Sequence, residues 1–528
     1  MTMRTSKGAR RTVLAGASLA ALGLALGCPP PARAQSFQGS ASVVPGSGSA
    51  FVTTGAGTTN VEVLTPEAVI DWTPTDTTGT GTIDFQPAGT TTTFTDSVNG
   101  GGDFTVLNRI LPVDSTGAPV ARMVAFNGTV QSTVFGAQGG NVWFYSPTGI
   151  ILGATANFNV GSLVLTTNPI DTTGGLYGTN GEIRFRGGAG STGLVQIDPG
   201  AQVTARINPT TLSNAYVALV APRIVQGGTI DADGPTALVA AEQVDLTINA
   251  GLFDIVVTQG TTDANGIVHT GSTGGATTIG SGNLPQAALV AVPKNDGMTM
   301  LLSGTFGYTP ATAASVDGGS VVLSAGNGLG FDTTGGAATG NIAIGDAVFT
   351  STLTANASDT IDVAPTSLAE FDKLATLDAL QAVDLTATNG AVINALATAG
   401  MSLDVHAGDA MTGGTINVTG ATAGVIDAAG SLRLRTSGNG SDTLLSGFDG
   451  VGGTINIAIG NAQLSATQSI DIDANGYGGT GITTGGDGIG GTIAISAAQG
   501  SITSNGLNLY AGGYGGSGDT LGGAGLGG

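Results

Sequence analysis

Few residues in this chain are equipped for chemistry. Two histidines, His269 and His406, stand far apart, each beside Gly/Ala-rich stretches. A zinc site takes three or four clustered ligands, and the one cysteine, Cys28, sits in an N-terminal leader. Zinc binding and cysteine catalysis are therefore not expected of the mature chain, and both histidines are expected at turns or on the surface. A Ser-His-Asp arrangement forms only in space, and nothing here singles one out. Carboxylates remain. Asp471 and Asp473 alternate with Ile470 and Ile472, so both project from one outer face of a strand. That is half of an acid/base pair of the kind glycoside chemistry uses, or half of a calcium site. A solvated strand face carries the same pattern. No catalytic residue, metal ligand or cofactor is assigned.

The elements that would position such residues are short strands. Of 528 residues 91 are Gly, 5% are aromatic and 10% charged, yet 41% are hydrophobic. Ordinary soluble domains carry roughly 25% charged residues, and a disordered chain would be less hydrophobic. Many short strands joined by tight turns fit this composition. The net charge of −21 makes nucleic acid and anionic lipid poor partners. The Gly485 to Gly488 run, Gly-Gly-Asp-Gly, has the composition of calcium-binding nonapeptide repeats. It occurs once in that form and lacks the tight tandem of such repeats.

Residues 1–34 read as an export signal. Arg4, Lys7, Arg10 and Arg11 form the basic start, Thr12 to Gly27 is apolar, and Ala32-Arg33-Ala34 fits a small-x-small cleavage pattern, with Ala32 and Ala34 as the cleavage residues. Arg10-Arg11 leaves a twin-arginine route open beside the general one. Cys28 stands where a lipoprotein cysteine could, but Pro29-Pro30 behind it argues against that. Cleavage after Ala34 removes five of the 15 basic residues and no acid, taking the net charge to −26. It also removes the only thiol, so the exported chain forms no disulfide, which suits passage unfolded through a second membrane. Every later apolar run is interrupted by Gly or polar residues, so no transmembrane helix is expected.

Self-similarity is the strongest internal signal. Gly-Gly-Thr-Ile recurs at Gly413, Gly452 and Gly490, at nearly equal intervals. Between these lie Leu432-Arg433-Leu434, Ile470-Asp471-Ile472 and Leu507-Asn508-Leu509. Each unit is thus expected to hold two strand-and-turn elements of roughly 19 residues, a solenoid-like period. Ala218 to Ala221 reads ALVA, which returns at Ala237 to Ala240 and at Ala288 to Ala291. In Thr454 to Ile459, the side chains of Ile455, Ile457 and Ile459 should point inward, with Ile493, Ile495, Ile416 and Val418 in equivalent slots. One coil cannot bury its own apolar face; stacked coils can. Twenty-odd coils about 4.8 Å apart would make a rod on the order of 100 Å long. The repeat phase breaks off at Gly527-Gly528, which predicts a truncated repeat array. The Gly-rich tail from Gly512 is expected to be loose.

Residues 35–170 differ from the rest and hold both Trp, Trp72 and Trp143. Phe104 to Ile110 reads FTVLNRI, with Leu107 and Asn108. Phe126 to Ser132 reads FNGTVQS, with Asn127 and Gly128. Gly139 to Thr167 reads GGNVWFYSPTGIILGATANFNVGSLVLTT, with Pro147, Gly149 and Ile150. By itself Pro147-Thr148-Gly149 is a turn, since Pro fixes φ and Gly accepts positive φ. Trp143 and Tyr145 should share one face of the preceding strand and Phe144 the other. In order and spacing the series resembles the N-terminal secretion domain of two-partner-secreted exoproteins, the haemagglutination-activity domain of filamentous haemagglutinin. That family shows a Leu-Asn-Arg/Glu strand, an Asn-Gly-Thr strand and an Asn-Pro-Asn-Gly-Ile turn. Here the turn reads Ser146-Pro147-Thr148-Gly149-Ile150, so both Asn positions depart, and an upstream Asn-Pro-Asn-Leu motif is not evident. The resemblance covers 35–170 well and the rest only by its style of repeat. It implies an outer-membrane barrel transporter as partner, and a domain that seeds folding at the cell surface. Leu107, Asn108, Asn127, Gly128, Pro147, Gly149 and Ile150 are the secretion-motif candidates, with plain turn-and-core structure as the competing role.

The expected architecture is all-β: a right-handed parallel β-helix (solenoid) with an N-terminal β cap. Residues 1–34 are the signal peptide and 35–170 the cap and two-partner-secretion domain. Residues 171–400 are β-helix with irregular insertions, and 401–528 are β-helix with Gly-rich repeats of roughly 38 residues. The expected role is that of a non-enzymatic adhesin or structural shaft, secreted or displayed on the surface of a Gram-negative bacterium. Its receptor would be an unidentified host, matrix or neighbouring-cell component. The alternative is a β-helix carbohydrate-active enzyme (polysaccharide lyase or hydrolase), which would need an acidic cluster focused on one face.

Overall fold

The computed structural model describes residues 35–96, 103–213, 215–249, 252–263, 265–276, 286–291, 298–309, 320–325 and 340–528. Residues 1–34, expected to be a signal peptide and including Cys28, Ala32 and Ala34, lie outside the described residues. Among those described every element is a strand. Period-two alternation explains why: Thr415–Gly420 and Val425–Ala428 bury every second side chain. Forty of the described strands join one continuous hydrogen-bonded system, wound as a parallel β-helix with three faces. The right-handed sense follows the general preference of parallel crossovers.

The first face runs from Glu67–Pro74 through Thr105–Ile110, Asn141–Tyr145, Ser162–Thr166 and Tyr216–Ala221 to Ser501–Tyr510. The second runs from Ile83–Gln86 through Val124–Phe126 and Gly149–Leu152 to Thr492–Ala497. The third begins at Thr58–Val63 and passes through Thr91–Asp96, Thr129–Val134 and Asn157–Val160. The repeats fall into register as their spacing predicts. Ala218 pairs Ala237, which pairs Ala288. Ile416, Ile455 and Ile493 form one column, and Val418, Ile457 and Ile495 another. Leu432, Ile470 and Leu507 stack likewise. Ile416, Val418, Ile455, Ile457 and Ile459 all belong to the interior cluster.

Two expectations about the coil change. The unit between successive Gly-Gly-Thr-Ile blocks holds one coil, not two. Thr415–Gly420, Val425–Ala428 and Ser431–Arg435 supply its three sides, and residues 437–453 leave the body as a Gly-rich arm before Thr454 resumes the second face. Among the described strands the first face therefore has fourteen rungs, and at about 4.8 Å each the shaft is about 65 Å long. The tail is not loose either. Gly513–Tyr514 pairs Gly476–Tyr477, and Gly525–Leu526 pairs Gly488–Ile489. Equivalent arms from three coils stack into a fin. Its two layers approach so closely that a Cβ on Gly447 would stand 1.8 Å from the Gly479 carbonyl oxygen. Glycine serves here as a close-packing residue rather than a source of freedom.

The N-terminal edge is sealed by antiparallel strands. Gly39–Val43 covers Glu67–Pro74, and Ala50–Gly55 covers Thr58–Val63. Gln38 N–H donates to the Phe85 carbonyl on the second face. Beneath this cap Phe37, Trp72, Phe85, Phe126, Phe144 and Phe158 pack mainly edge to face. A second sheet, Glu182–Arg186, Gln243–Asn249 and Leu252–Gln259, is antiparallel and lies outside the helix. It covers the outer side of the first face, where Val69, Leu107, Trp143, Val164, Val220 and Val239 form a second core with Phe185, Leu246 and Ile255. Strands buried on both sides read as unbroken apolar runs, as Tyr216–Ala221 and Thr236–Ala240 do.

Gly447→Ala should splay the fin while sparing the body. Hydrogen exchange is expected to quicken in residues 476–489 and to stay slow in Thr454–Ile459. Unchanged protection in the arms would contradict their close packing.

Candidate functional site

The secretion-motif candidates come from consecutive coils. Leu107 and Asn108 sit on Thr105–Ile110 of the first face, between Glu67–Pro74 and Asn141–Tyr145. Leu107 points out into the second core and packs under the outer sheet. Asn108 points in and is fully buried. Its Oδ1 accepts from the Trp72 indole Nε1 at 3.0 Å, and its Nδ2 donates to the Trp143 carbonyl at 3.2 Å. One amide thus satisfies an indole N–H that the apolar interior could not.

Asn127 and Gly128 form the corner between the second and third faces. Asn127 Nδ2 donates to Asp84 Oδ1 at 2.8 Å, and its carbonyl accepts from the Thr155 hydroxyl at 2.7 Å. A Cβ on Gly128 would meet the Thr90 carbonyl at 2.6 Å. Pro147 is exposed at the corner between the first and second faces, and Ile150 is buried in register with Val124 and Val195. Gly149 has φ +152, and a Cβ there would stand 2.6 Å from Met123 Cε and 3.0 Å from the Leu194 carbonyl. The seven residues occupy three separate places rather than one pocket. Each has a turn, packing or hydrogen-bonding task where it stands.

Two features around them carry no motif in the sequence. Arg122, 7% exposed, donates to the Gly81 and Asp76 carbonyls at 2.7 and 2.9 Å and to Asp76 Oδ2. Its own carbonyl accepts from the Thr148 hydroxyl, which ties the Pro147 corner to the coil before it. The Arg122 guanidinium and the Gly79 N–H hold the Asp76 carboxyl down at about 2. On the outer side, Trp143 Nε1 donates to Tyr216 Oη at 2.9 Å, and Tyr177 Oη bonds Thr105 Oγ1 at 3.1 Å. Burial pushes the Tyr216 phenol well above its usual range. A second aromatic anchor could have been suspected from the isolated Tyr216 opening an apolar run; Arg122 gave no local signal.

The other chemistry-bearing residues resolve differently. Asp471 and Asp473 do share an outer face, but they stand in register with Arg433 and Arg435. Asn508 Nδ2 donates to Asp471 Oδ1 at 2.6 Å and the Asn475 N–H to Asp473 Oδ1 at 2.9 Å. Among the described residues no group of three or more His, Cys, Asp or Glu could hold a metal ion. Asp487 of the Gly-Gly-Asp-Gly run accepts the Ala524 N–H at 2.7 Å, and its own N–H donates to Asp449. His406 is partly exposed and bonds Asp378 at 2.8 Å. His269 corrects the surface assignment: it is fully buried, stacked on Phe306 at 3.9 Å between ring centroids. Its ring nitrogens meet the Ser303 carbonyl and Thr273 Oγ1. It shares the inward face of the strand Ile267–His269 with Ile267, and its Gly-rich neighbours in sequence did not reveal a strand this short.

Two outcomes follow. Asn108→Ala should cost about 1–3 kcal/mol, because it strands the Trp72 indole N–H; denaturant unfolding checks this, and an unchanged midpoint with unchanged slope would refute the role. Burial holds the His269 pKa at about 4, against 6.5 when free. The unfolded chain therefore takes up this proton first as pH falls. The stability it represents is present above 6.5, declines by up to about 1.4 kcal/mol per pH unit below that, and is gone near 4. The difference between the parent and His269→Asn in urea titrations at pH 7 and pH 4.5 isolates this group; a pH-independent difference would contradict it.

No family model matches the sequence, and no curated protein matches it. Among solved structures the chain is similar to the HMW1 secretion domain from Haemophilus influenzae, at 14% identity over 89% of this chain and 99% of that one, with a TM-score of 0.38. It is also similar to the filamentous hemagglutinin secretion domain, at 12% identity over 90% of this chain and 99% of that one, with a TM-score of 0.24. The β-helix stands on its own strand pairings, and these two solved structures are both secretion domains.

Proposed function

We propose that this chain is a secreted exoprotein of a Gram-negative bacterium, exported by a cognate outer-membrane two-partner-secretion transporter. Once outside it acts as a non-enzymatic shaft for adhesion, toward a host, matrix or neighbouring-cell receptor. Residues 35–170 serve as the cap and secretion module, and 171–400 and 401–528 as the shaft. The observation that carries this reading is the sealed N-terminal end. Antiparallel strands cover the first and third faces on that side, Gln38 bonds the second, and an aromatic cluster underlies them. Stacked repeats can fold by nucleation and propagation from one end. A chain emerging cap first can therefore lay each coil on a finished one, and no external energy source is needed to draw the rest out. The motif candidates support this as corner and core residues of the first coils. The carboxylates that a carbohydrate-active reading would enlist hold neighbouring groups of the shaft: Asp471 accepts from Asn508 Nδ2 and the Ser469 hydroxyl, and Asp473 from the Asn475 N–H.

Release into the medium should require the transporter. Deleting its gene is expected to leave the chain in the periplasm, and undiminished release would remove the assignment. Gly149→Val should reduce release as well. It imposes a β-branched residue at φ +152 against Met123 and the Leu194 carbonyl, at about 1–3 kcal/mol of backbone strain. Immunoblots of medium and cell fractions read both outcomes; parental export of the variant would show that this corner is unimportant.

A further inference from the structure

The fin ends in an edge that the rest of the shaft does not explain. Three consecutive coils bring their arm tips together there. Thr443 bridges Gly481, Ser446 bridges Thr484, and Thr484 bridges Leu521. In that register Leu444, Ile482 and Asp519 fall in one column. Leu444 is 80% exposed and Ile482 58%. Exposed apolar side chains gathered at one place mark interaction sites. With Asp442, Thr443 and Thr480 these residues line a shallow groove of about 280 Å³.

Its shape is set before anything binds. Thr443 N–H donates to the Thr480 carbonyl, Gly481 N–H to the Ser517 carbonyl, and Asp519 N–H to the Ile482 carbonyl. The Thr443 hydroxyl turns back onto the Ser446 carbonyl. Behind the tips the two layers touch backbone to backbone, as the missing Cβ of Gly447 allows. A groove held this way loses little freedom on binding.

Charge selects the occupant. Arms 437–453, 475–491 and 511–528 carry four carboxylates, Asp442, Asp449, Asp487 and Asp519, and no Lys, Arg or His. Asp442 and Asp519 belong to the groove itself, on coils two rungs apart. A second copy would bring the same four carboxylates, and an anionic lipid surface would be repelled. We propose that this groove docks a basic, amphipathic segment of a partner protein. Apolar side chains of that segment cover Leu444 and Ile482, while its Lys or Arg side chains pair with Asp442 and Asp519. The site lies at the opposite end of the chain from the cap, so its test does not depend on the export route.

The probe is a fluorescein-labelled alternating Leu/Lys decapeptide titrated against the full chain, read by anisotropy. Binding should weaken with salt. Two double variants, Leu444→Ser with Ile482→Ser and Asp442→Asn with Asp519→Asn, should each weaken it by about tenfold. Both alter exposed side chains, so circular dichroism should match the parent. Asp114→Asn with Asp372→Asn removes the same charge elsewhere and should leave binding unchanged. A Leu/Glu decapeptide should not bind. Equal affinity across the three double variants would reduce the effect to diffuse acidity and overturn the site. Binding of the Leu/Glu peptide, parental self-association lost on Leu444→Ser with Ile482→Ser, or capture by anionic vesicles would overturn the assigned occupant.

Discussion

A parallel strand has two hydrogen-bonding edges, and a coil of this chain satisfies both only by lying between two others. Everything else in the molecule answers to that constraint. Columns such as Ile416, Ile455 and Ile493 keep neighbouring coils in register, because a one-residue slip would turn every inward side chain outward. The same constraint makes the first coil a problem, since an uncovered edge recruits other strands. Antiparallel strands Gly39–Val43 and Ala50–Gly55 solve it by ending the parallel ladder with a different geometry.

Outward faces are handled locally. Where the first face is apolar on both sides, the outer antiparallel sheet buries it; Trp143 and Tyr216 bond each other on that face, and Tyr177, from the segment leading into the outer sheet, bonds Thr105 on it. Farther along, the same face is polar and needs no cover. There Asp404 is followed by Arg433 and Asp471 on successive rungs, and His406 by Arg435 and Asp473. Opposite charges directly across a ladder help register modestly, while like charges would oppose it. At this place Arg433 thus separates two carboxylates.

The fin shows a third solution. Its short strands stack only a half-buried column of Val451, Ile489 and Leu526 and the rings of Tyr477 and Tyr514, so backbone contact adds to the packing. Gly450 N–H donates to the Asp487 carbonyl and Gly488 N–H to the Ala524 carbonyl along the axis, while Gly486 N–H reaches Gly479 across the layers. Each arm is thereby bonded along the shaft and within the fin. A single repeat length must serve body and fin together, which ties the length of each arm to that of each coil.

The amino-acid sequence alone determined the local rules. Period-two alternation named the inward residues, the spacing of Gly-Gly-Thr-Ile named the partners across coils, and Trp143, Tyr145 and Phe144 were assigned to their faces correctly. The motif candidates could be placed on strands and corners for the same reason. Only the tertiary structure decided what lies between sequence-distant segments. Asn108 holds the indole of Trp72, Arg122 clamps residues 76–81, and the outer sheet closes over Leu107. It also reversed two readings. His269 is interior because it lies in register between Gln226 and Leu302 on the inward face of its strand, and Gly512 to Gly528 is paired because neighbouring arms need its missing side chains. Alternation is a property of a single strand and can be read from one segment. Whether three residues such as Ile267–His269 become a rung at all, and the distance between two backbones, depend on what another segment brings to the same place.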